Sequence, residues 1–277
     1  MQNYKLGLIG YPLSHSLSPK IHTAALQACN LQGNYSLFPI HPDDKHGLQD
    51  LLNQIRTKQI QGLNVTIPHK QNVIEFMDEL TPTAKSIGAV NTIYLRDEEL
   101  IGDNTDSAGF ITDLKNNFDF SAFSFQLSAL VLGAGGSARA VVYALLNNGW
   151  HVTITARRIE QAKELALSFT NHEVKIADNI SSIELSNIGL IVNTTPIGMT
   201  PNINVSPLPE NITLLKNILI YDLIYNPRKT KLVKDALAQG VNATTGLGML
   251  IEQAALAFEI WTGKNPPREI LWKAIDN

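Results

Sequence analysis

The residues with the clearest chemical potential are those of the glycine-rich run Leu130–Ala140, LVLGAGGSARA. The apolar segment Ser128–Leu132 leads into this run, and apolar residues at helical spacing follow it from Ala138 to Leu146. A strand, a glycine turn and a helix in this order present backbone N–H groups and the positive end of a helix to a phosphate. The pattern therefore predicts a dinucleotide-binding unit.

The small residues of the turn have different functions in such a unit. Gly133 permits the tight turn, Gly135 lets a pyrophosphate approach the backbone, and Ala138 lets the helix pack close to the strand. A glycine turn without a ligand is the alternative, and the strand before it and the helix after it favour the dinucleotide. Cofactor contacts are expected from Gly133, Ala134, Gly135, Gly136, Ser137 and Ala138.

The next strand of this unit, Trp150–Thr155, indicates which dinucleotide is bound. In an NAD-binding protein an acidic residue at the end of this strand holds the ribose hydroxyls. Here the strand is followed by Ala156, Arg157 and Arg158, with no carboxylate. Two guanidinium groups can bind a 2′-phosphate bidentately, so the sequence favours NADP. Two surface arginines at a helix start are the alternative, but positive charge is unfavourable there without an anion.

A second group of polar residues lies in the loop that follows the predicted strand Leu6–Gly10. Ser18 and Pro19 are typical of a helix start, with Ser18 as the capping residue. That role leaves Ser14 and Ser16 unexplained, and they alternate on one face of the preceding extended segment. Two hydroxyls beside a helix N-terminus could bind a carboxylate, and ordinary loop serines are the alternative.

Further polar side chains follow the predicted strands of the first third of the chain. Asn64, Thr66 and Lys70 lie around the end of a strand in an alternating strand–helix pattern, where ligands bind in such sheets. Asn91 and Asp106 lie at later polar breaks. A solvated side chain is the alternative for Lys70, and a helix cap is the alternative for Asp106.

Bulk composition excludes several classes of function. A chain of 277 residues is long enough for two domains, and its mean hydropathy of -0.02 is that of an ordinary soluble protein. The net charge of -3 gives no basic surface, so no nucleic-acid partner is expected. No signal-peptide core or membrane-spanning run is present, which favours the cytoplasm and no membrane association. The histidines lack metal-ligand spacing, and Cys29, the single cysteine, is expected in a buried helix position.

Several motifs in series carry a family resemblance. They are G-x-P-x-x-H-S-x-S-P at Gly10–Pro19, N-V-T-x-P-x-K at Asn64–Lys70, A-V-N-T at Ala89–Thr92, G-D-N-T-D at Gly102–Asp106, the central GAGGSAR and the late GLGMLIEQAALAF. With these motifs in this order, the chain resembles the shikimate dehydrogenase family from about Leu6 to Trp272.

The resemblance implies a two-domain α/β fold. A mainly parallel α/β substrate domain would comprise residues 1–105, completed by C-terminal helices in 246–277. A Rossmann-type NADP-binding domain would comprise residues 106–245. The predicted helix Leu250–Trp261 would return the chain to the first domain, which makes that domain discontinuous.

The resemblance also implies roles for individual residues. Ser14 and Ser16 would bind the substrate carboxylate, and Lys70 and Asp106 would form the catalytic pair. Thr66, Asn91 and Gln253 would hydrogen-bond the carboxylate and ring hydroxyls, with Tyr225 near the substrate. Further cofactor contacts would come from Thr194, Thr195, Met199, Gly246 and Met249. No metal is implied.

The implied reaction is the reversible NADPH-dependent reduction of 3-dehydroshikimate to shikimate, in the pathway to aromatic amino acids. Ketone reduction puts a hydride on carbon and a proton on oxygen, and charge builds on that oxygen. A lysine ammonium can stabilise the charge and give the proton, and a carboxylate can orient the lysine. Which group is the formal acid stays open.

Two alternatives and one departure from the family pattern remain. The alternatives are a quinate/shikimate dehydrogenase that uses NAD or NADP, and a catalytically silent NADP(H)-binding regulatory protein. The departure is in Ala156–Gln161, where the family has N-R-T-x-x-R or K and this chain keeps only Arg157 of that pattern. Arg158 could replace the missing charge. A monomer and a homodimer are both compatible with the sequence.

Overall fold

The computed structural model describes residues 3–120, 127–210 and 212–276. The chain divides into two compact units, the first made of Met1–Asp106 with Ile251–Asn277 and the second of Ser107–Leu250. None of the helices in the described residues is both long and apolar enough to span a bilayer.

Strands and helices alternate along most of the chain. The strands are β1 (Asn3–Gly10), β2 (Gln32–Pro39), β3 (Gly62–Val65), β4 (Glu79–Leu80), β5 (Thr92–Arg96), β6 (Glu99–Asp103), β7 (Ser128–Leu132), β8 (His151–Thr155), β9 (Val174–Ile176), β10 (Leu190–Asn193), β11 (Leu219–Asp222) and β12 (Asn242–Thr245). The helices are α1 (Ser18–Ala28), α2 (Lys45–Arg56), α3 (Pro82–Ile87), α4 (Asp106–Asn117), α5 (Gly136–Leu146), α6 (Ile159–Leu167), α7 (Lys231–Ala238), α8 (Leu247–Thr262) and α9 (Arg268–Asp276).

The first unit contains a six-stranded sheet in the order β2-β1-β3-β5-β6-β4. Within it β5 is antiparallel to both of its neighbours, and the other pairings are parallel. One face is covered by α2, whose Leu48, Leu51, Leu52 and Ile55 are buried. The spacing of these residues in the sequence predicts one apolar helical face, and the structure buries that face. The sheet is therefore mainly parallel, and β3 and β6 end at the same edge.

The second unit contains a fully parallel six-stranded sheet in the order β12-β11-β10-β7-β8-β9. Counted from β7, this is the order 3-2-1-4-5-6 of a Rossmann fold. Successive residues of β7 enter different cores, since Ala129 and Val131 pack in one cluster and Leu130 and Leu132 in another. The sheet is thus covered on both faces, and the predicted two-domain α/β class is confirmed.

The second unit ends at Leu250, and the chain returns to the first unit at Ile251. The sequence predicts this boundary after residue 245. The physical reason is that α8 already begins at Leu247, and Met249 in its first turn packs into a core of the second unit. Helix α8 therefore contributes residues to both units.

Three local expectations differ from the structure. Ser18 is the first residue of α1 and does not cap it; instead the Ser16 hydroxyl accepts the Ser18 backbone N–H at 3.2 Å. The spacing of Val73, Ile74 and Met77 predicts a helix after Lys70, and the structure has only a short 3₁₀ helix there, Asn72–Phe76. Cys29 follows the last residue of α1 and is only half-buried. Local pattern does not determine these details, since helix ends depend on which neighbouring group takes up their free N–H and C=O groups.

Candidate active site

An ion pair joins two of the predicted site residues in the first unit. Lys70 Nζ lies 2.6 Å from Asp106 Oδ2, and the two side chains are only 13% and 6% exposed. Lys70 follows β3, and Asp106 follows β6 as the first residue of α4. Because β3 and β6 end at the same edge of the sheet, residues distant in sequence meet there.

Asn91 completes the surroundings of this carboxylate. Its Nδ2 donates to Asp106 Oδ1 at 2.8 Å, while its Oδ1 accepts the Thr105 backbone N–H at 2.8 Å. Gln253, from α8, places its Oε1 3.4 Å from the same Nδ2. The structure therefore gathers Lys70, Asn91, Asp106 and Gln253 into one buried cluster.

The cluster has a chemical consequence. One oxygen of Asp106 faces a cation and the other faces an amide, so the carboxylate is held in one orientation. Charge-assisted hydrogen bonds are shorter and stronger than neutral ones, and a site with little water strengthens them further. A lysine held in this way can stabilise negative charge on a bound oxygen and exchange a proton with it.

A buried chain of hydrogen bonds holds the backbone of Asn91 in place, and the sequence alone does not predict it. The Tyr35 hydroxyl, on β2, donates to Asn64 Oδ1 at 2.8 Å. Asn64 Nδ2 in turn donates to the Asn91 backbone oxygen at 3.1 Å and lies 3.4 Å from Thr92 Oγ1. Register explains the contact, since Asn64 on β3 pairs with Thr92 on β5. Before this register is known, Tyr35 cannot be distinguished by its sequence pattern from an ordinary core residue of a strand.

The loops that carry the other predicted substrate residues are fixed to the same sheet edge. The Thr66 N–H donates to the Ile9 oxygen at 2.8 Å, and the Tyr11 N–H donates to the Ile67 oxygen at 3.0 Å. Ser14 is exposed in the loop after β1, and Ser16 is half-buried. Their binding of a carboxylate stays a prediction.

His69, directly before Lys70, is a further residue that sequence reasoning does not single out. It is buried, and its Nε2 lies 2.7 Å from the backbone oxygen of Ile40, just after β2. This contact fixes the loop that carries Lys70 to the end of β2, two strands away in the sheet.

The second unit contains the glycine turn. Gly133 has φ of 111°, and a Cβ there would lie 2.6 Å from Thr194 Oγ1, so a side chain is excluded on both counts. A Cβ on Gly135 would meet nothing within 4 Å, which leaves the backbone open to an approaching group. Helix α5 begins at Gly136 without a side-chain cap, so its first N–H groups point at this space. Ala138 is fully buried, and it lets the helix pack close to the sheet.

The two arginines of the predicted 2′-phosphate site follow β8. Arg157 and Arg158 are both exposed, and Arg158 precedes α6 without capping it. Within the described part of the chain, neither guanidinium makes a hydrogen bond or an ion pair. An anion at this position would thus meet two unengaged guanidinium groups.

The remaining predicted cofactor residues lie in the second unit, Met249 in the first turn of α8 and the others in loops. Thr194 Oγ1 donates to the Leu132 oxygen at 2.7 Å, next to the glycine turn. Met199 is 42% exposed, whereas Met249 is buried. Gly246 lies against the Leu223 backbone, where a Cβ would collide with the carbonyl. Tyr225, in the loop after β11, is half-buried, and burial raises its pKa.

Comparison with known proteins identifies the family. Residues 8–93 match the model for the shikimate dehydrogenase substrate binding domain, residues 118–232 the model for shikimate / quinate 5-dehydrogenase, and residues 246–275 the model for the shikimate 5'-dehydrogenase C-terminal domain. A curated NADP(+) shikimate dehydrogenase of Carboxydothermus hydrogenoformans is 42% identical over 97% of this chain and 95% of its own length. The chain belongs to the shikimate dehydrogenase family. The resemblance inferred from the motifs is confirmed.

Solved structures of this family and of a related reductase have the same fold. A shikimate 5-dehydrogenase of Thermus thermophilus, in complex with NADP(H) and shikimate, is 34% identical, with a TM-score of 0.83 and coverage of 98% of both chains. The 5-ketofructose reductase of Gluconobacter sp. strain CHM43 is 28% identical, with a TM-score of 0.85, and covers 100% of this chain and 99% of its own. Since one fold accompanies two differently named activities, the substrate has to be argued from site residues.

Proposed function

We propose that this chain is an NADP-dependent shikimate dehydrogenase, an oxidoreductase acting on a CH–OH group that interconverts 3-dehydroshikimate and shikimate in aromatic amino acid biosynthesis. The observation that carries the proposal is the Lys70–Asp106 ion pair, 2.6 Å long and mostly buried, with Asn91 on the second carboxylate oxygen. The single cysteine and the absence of a disulfide partner fit the reducing cytoplasm as its location.

The pair supplies the proton chemistry of the reduction. When bound, NADPH supplies the hydride. As negative charge develops on the ketone oxygen, the Lys70 ammonium stabilises it and passes a proton to it. Asp106 keeps the ammonium in place and shares the proton with it, so the two groups act as one acid. In the reverse direction the same pair accepts the hydroxyl proton of shikimate.

The remaining predicted residues bind the two reactants. Ser14 and Ser16 hold the substrate carboxylate, Thr66, Asn91 and Gln253 hydrogen-bond the carboxylate and ring hydroxyls, and Tyr225 lies near the substrate. On the cofactor side, the turn from Gly133 to Ala138 binds the pyrophosphate. Thr194, Thr195 and Met199 belong to the loop beside the nicotinamide, and Gly246 and Met249 make further cofactor contacts. Arg157 and Arg158 bind the 2′-phosphate, which their exposure and lack of protein partners in the described residues support.

Single substitutions in the pair test the assignment. Lys70→Ala and Asp106→Asn are each expected to lower kcat for shikimate oxidation by about 10²–10⁴-fold, the usual contribution of a positioned acid or base. The matched control is Lys45→Ala, because Lys45 belongs to the same unit but forms an exposed pair with Glu75. Its kcat should equal that of the wild type. Near-wild-type kcat in both Lys70→Ala and Asp106→Asn would contradict the assignment.

Quinate is the second candidate substrate, since the model matched by residues 118–232 describes shikimate and quinate dehydrogenases together. Quinate carries an additional ring hydroxyl, which needs space and a hydrogen-bond partner. Comparing kcat/KM for quinate and shikimate, each with NADP⁺ and NAD⁺, decides between them. The proposal expects shikimate with NADP⁺ to give the highest value, and a preference for quinate with NAD⁺ would replace it.

A further inference from the structure

A buried carboxylate in the second unit has no role in the scheme above. Asp222, the last residue of β11, is 0% exposed. Its Oδ1 accepts from Asn193 Nδ2 at 2.8 Å and from the Ile224 N–H at 3.1 Å, and its Oδ2 accepts from Thr230 Oγ1 at 2.7 Å. Burial raises the pKa of Asp222 to about 6, although these donors oppose the shift. A buried charge is costly, and packing alone would be served equally well by an apolar residue.

Strand register brings Asp222 to its first partner. In the pairing of β10 with β11, Asn193 lies directly opposite Asp222. Asn193 is also 0% exposed, and its Oδ1 accepts both the N–H and the hydroxyl of Thr195, at 3.0 and 2.7 Å. Because Asp222 accepts from Asn193 Nδ2, the Asn193 amide has only one favourable orientation. In that orientation its Oδ1 accepts from Thr195 and holds that residue in place.

The second partner of Asp222, Thr230, holds the loop that follows β11. Thr230 donates its hydroxyl proton to Asp222 and accepts the Val233 N–H at the start of α7. The loop between Asp222 and Thr230, which contains Tyr225, is thus fixed at both ends. The two loops also bond to each other, since the Thr200 N–H donates to the Asn226 oxygen at 3.2 Å.

We propose that Asp222 is a positioning residue for the nicotinamide half of NADP(H), because its carboxylate fixes, through Asn193 and Thr230, the two loops that carry Thr195 and Tyr225. The assignment of these loops to the nicotinamide and the substrate rests on the proposed function. Asp222 touches neither reactant in this scheme and acts only through its partners.

The test is Asp222→Asn, which keeps the size of the side chain but replaces one acceptor by a donor. If the new NH2 group faces Asn193, two donors meet and the first loop loses its anchor. If it faces Thr230, the hydroxyl can only accept, and a charge-assisted bond is replaced by a weaker neutral one. The dissociation constant of NADPH should rise about tenfold, which corresponds to about 1.4 kcal/mol. Binding of 2′,5′-ADP, which carries only the adenosine half of the cofactor with its 2′-phosphate, should stay within about twofold of the wild type.

Two further variants sharpen the test. In the exchange Asn193→Asp with Asp222→Asn, a carboxylate still faces both donors of Thr195 and an amide oxygen still faces Thr230. Only the Ile224 N–H loses its acceptor, so NADPH affinity should return in part. Asp235→Asn is the matched control, because Asp235 lies on α7 and forms a 2.7 Å pair with Lys231 at 44% exposure. This control should bind NADPH like the wild type.

The outcomes separate this inference from the proposed function. Unchanged NADPH affinity in Asp222→Asn, or an equal loss of NADPH and 2′,5′-ADP binding, would overturn the positioning role, since general damage to the unit weakens both ligands alike. Wild-type turnover of shikimate with NADP⁺ is measured separately. Its absence would contradict the proposed function, while the binding ratio still tests the role of Asp222.

Discussion

Replacing His22 with phenylalanine removes a buried imidazole from the first unit while keeping an aromatic ring in its place. His22 lies on α1, is 1% exposed and stacks on Tyr35 with ring centroids 4.2 Å apart and planes 1° from parallel. Neither ring nitrogen has a hydrogen-bond partner in the described residues. Burial lowers the pKa of His22 to about 3, and the neighbouring Asn64 amide opposes that shift only in part.

The lowered pKa makes stability depend on pH with a definite sign. The unfolded chain takes up a proton on this histidine below its ordinary pKa of 6.5, but the folded chain does so only near pH 3. The stabilisation is therefore complete above about pH 6.5 and is lost as the pH falls from there towards 3. At about 1.4 kcal/mol per pH unit, the loss reaches about 2 kcal/mol at pH 5 and about 4 kcal/mol at pH 3.

Urea unfolding at about pH 7 and about pH 5 measures this contribution. Tryptophan fluorescence is the signal, and among the three tryptophans Trp261 lies with its ring centroid 5.4 Å from that of His22. Between the two pH values, His22→Phe should lose about 2 kcal/mol less unfolding free energy than the wild type. The control His46→Gln changes a histidine whose side chain is 86% exposed and should follow the wild type. Equal pH dependence in His22→Phe and the wild type would refute the reasoning.

Three other substitutions have direct readouts. Replacing Arg157 and Arg158 together by alanine should raise KM for NADPH at least about tenfold and leave KM for NADH unchanged, since only NADPH carries the 2′-phosphate. Equal effects on the two KM values would exclude binding of the 2′-phosphate by these arginines. Gly133→Ala forces a side chain at φ of 111° against Thr194 and should weaken NADPH binding at least about tenfold in a titration, so unchanged affinity would contradict the assigned turn. Tyr35→Phe leaves a buried amide oxygen without its donor and should lower the unfolding free energy by about 1–3 kcal/mol, whereas no change would show that the bond adds nothing.

The parts of the fold that depend on local pattern could be predicted from the sequence. The strand, glycine turn and helix around Gly133 follow from adjacent residues, and the buried face of α2 follows from the spacing of Leu48, Leu51, Leu52 and Ile55. The family motifs added the site residues that no local rule connects. Among them, Lys70 and Asp106 are 36 residues apart in sequence and meet only because β3 and β6 end at one edge.

The supporting contacts could not be predicted, since they depend on sheet order and register. Asn64 meets Thr92 across an antiparallel pairing, and Asn193 meets Asp222 across a parallel one. Neither register can be read from the separate strands, because β3, β10 and β11 are buried on both faces and show no alternation that would fix the pairing. Tyr35 likewise looks like an ordinary strand residue until its hydroxyl has a partner.

The initial rate of NADP⁺ reduction by shikimate, followed at the absorbance band of the reduced nicotinamide, tests the central claim most directly. The proposed function predicts clear turnover by the wild-type chain with this pair of reactants, faster than with NAD⁺ or with quinate. If the chain binds NADPH in a titration but produces no reduced nicotinamide from shikimate, the claim is contradicted, and a silent NADP(H)-binding protein becomes the better description.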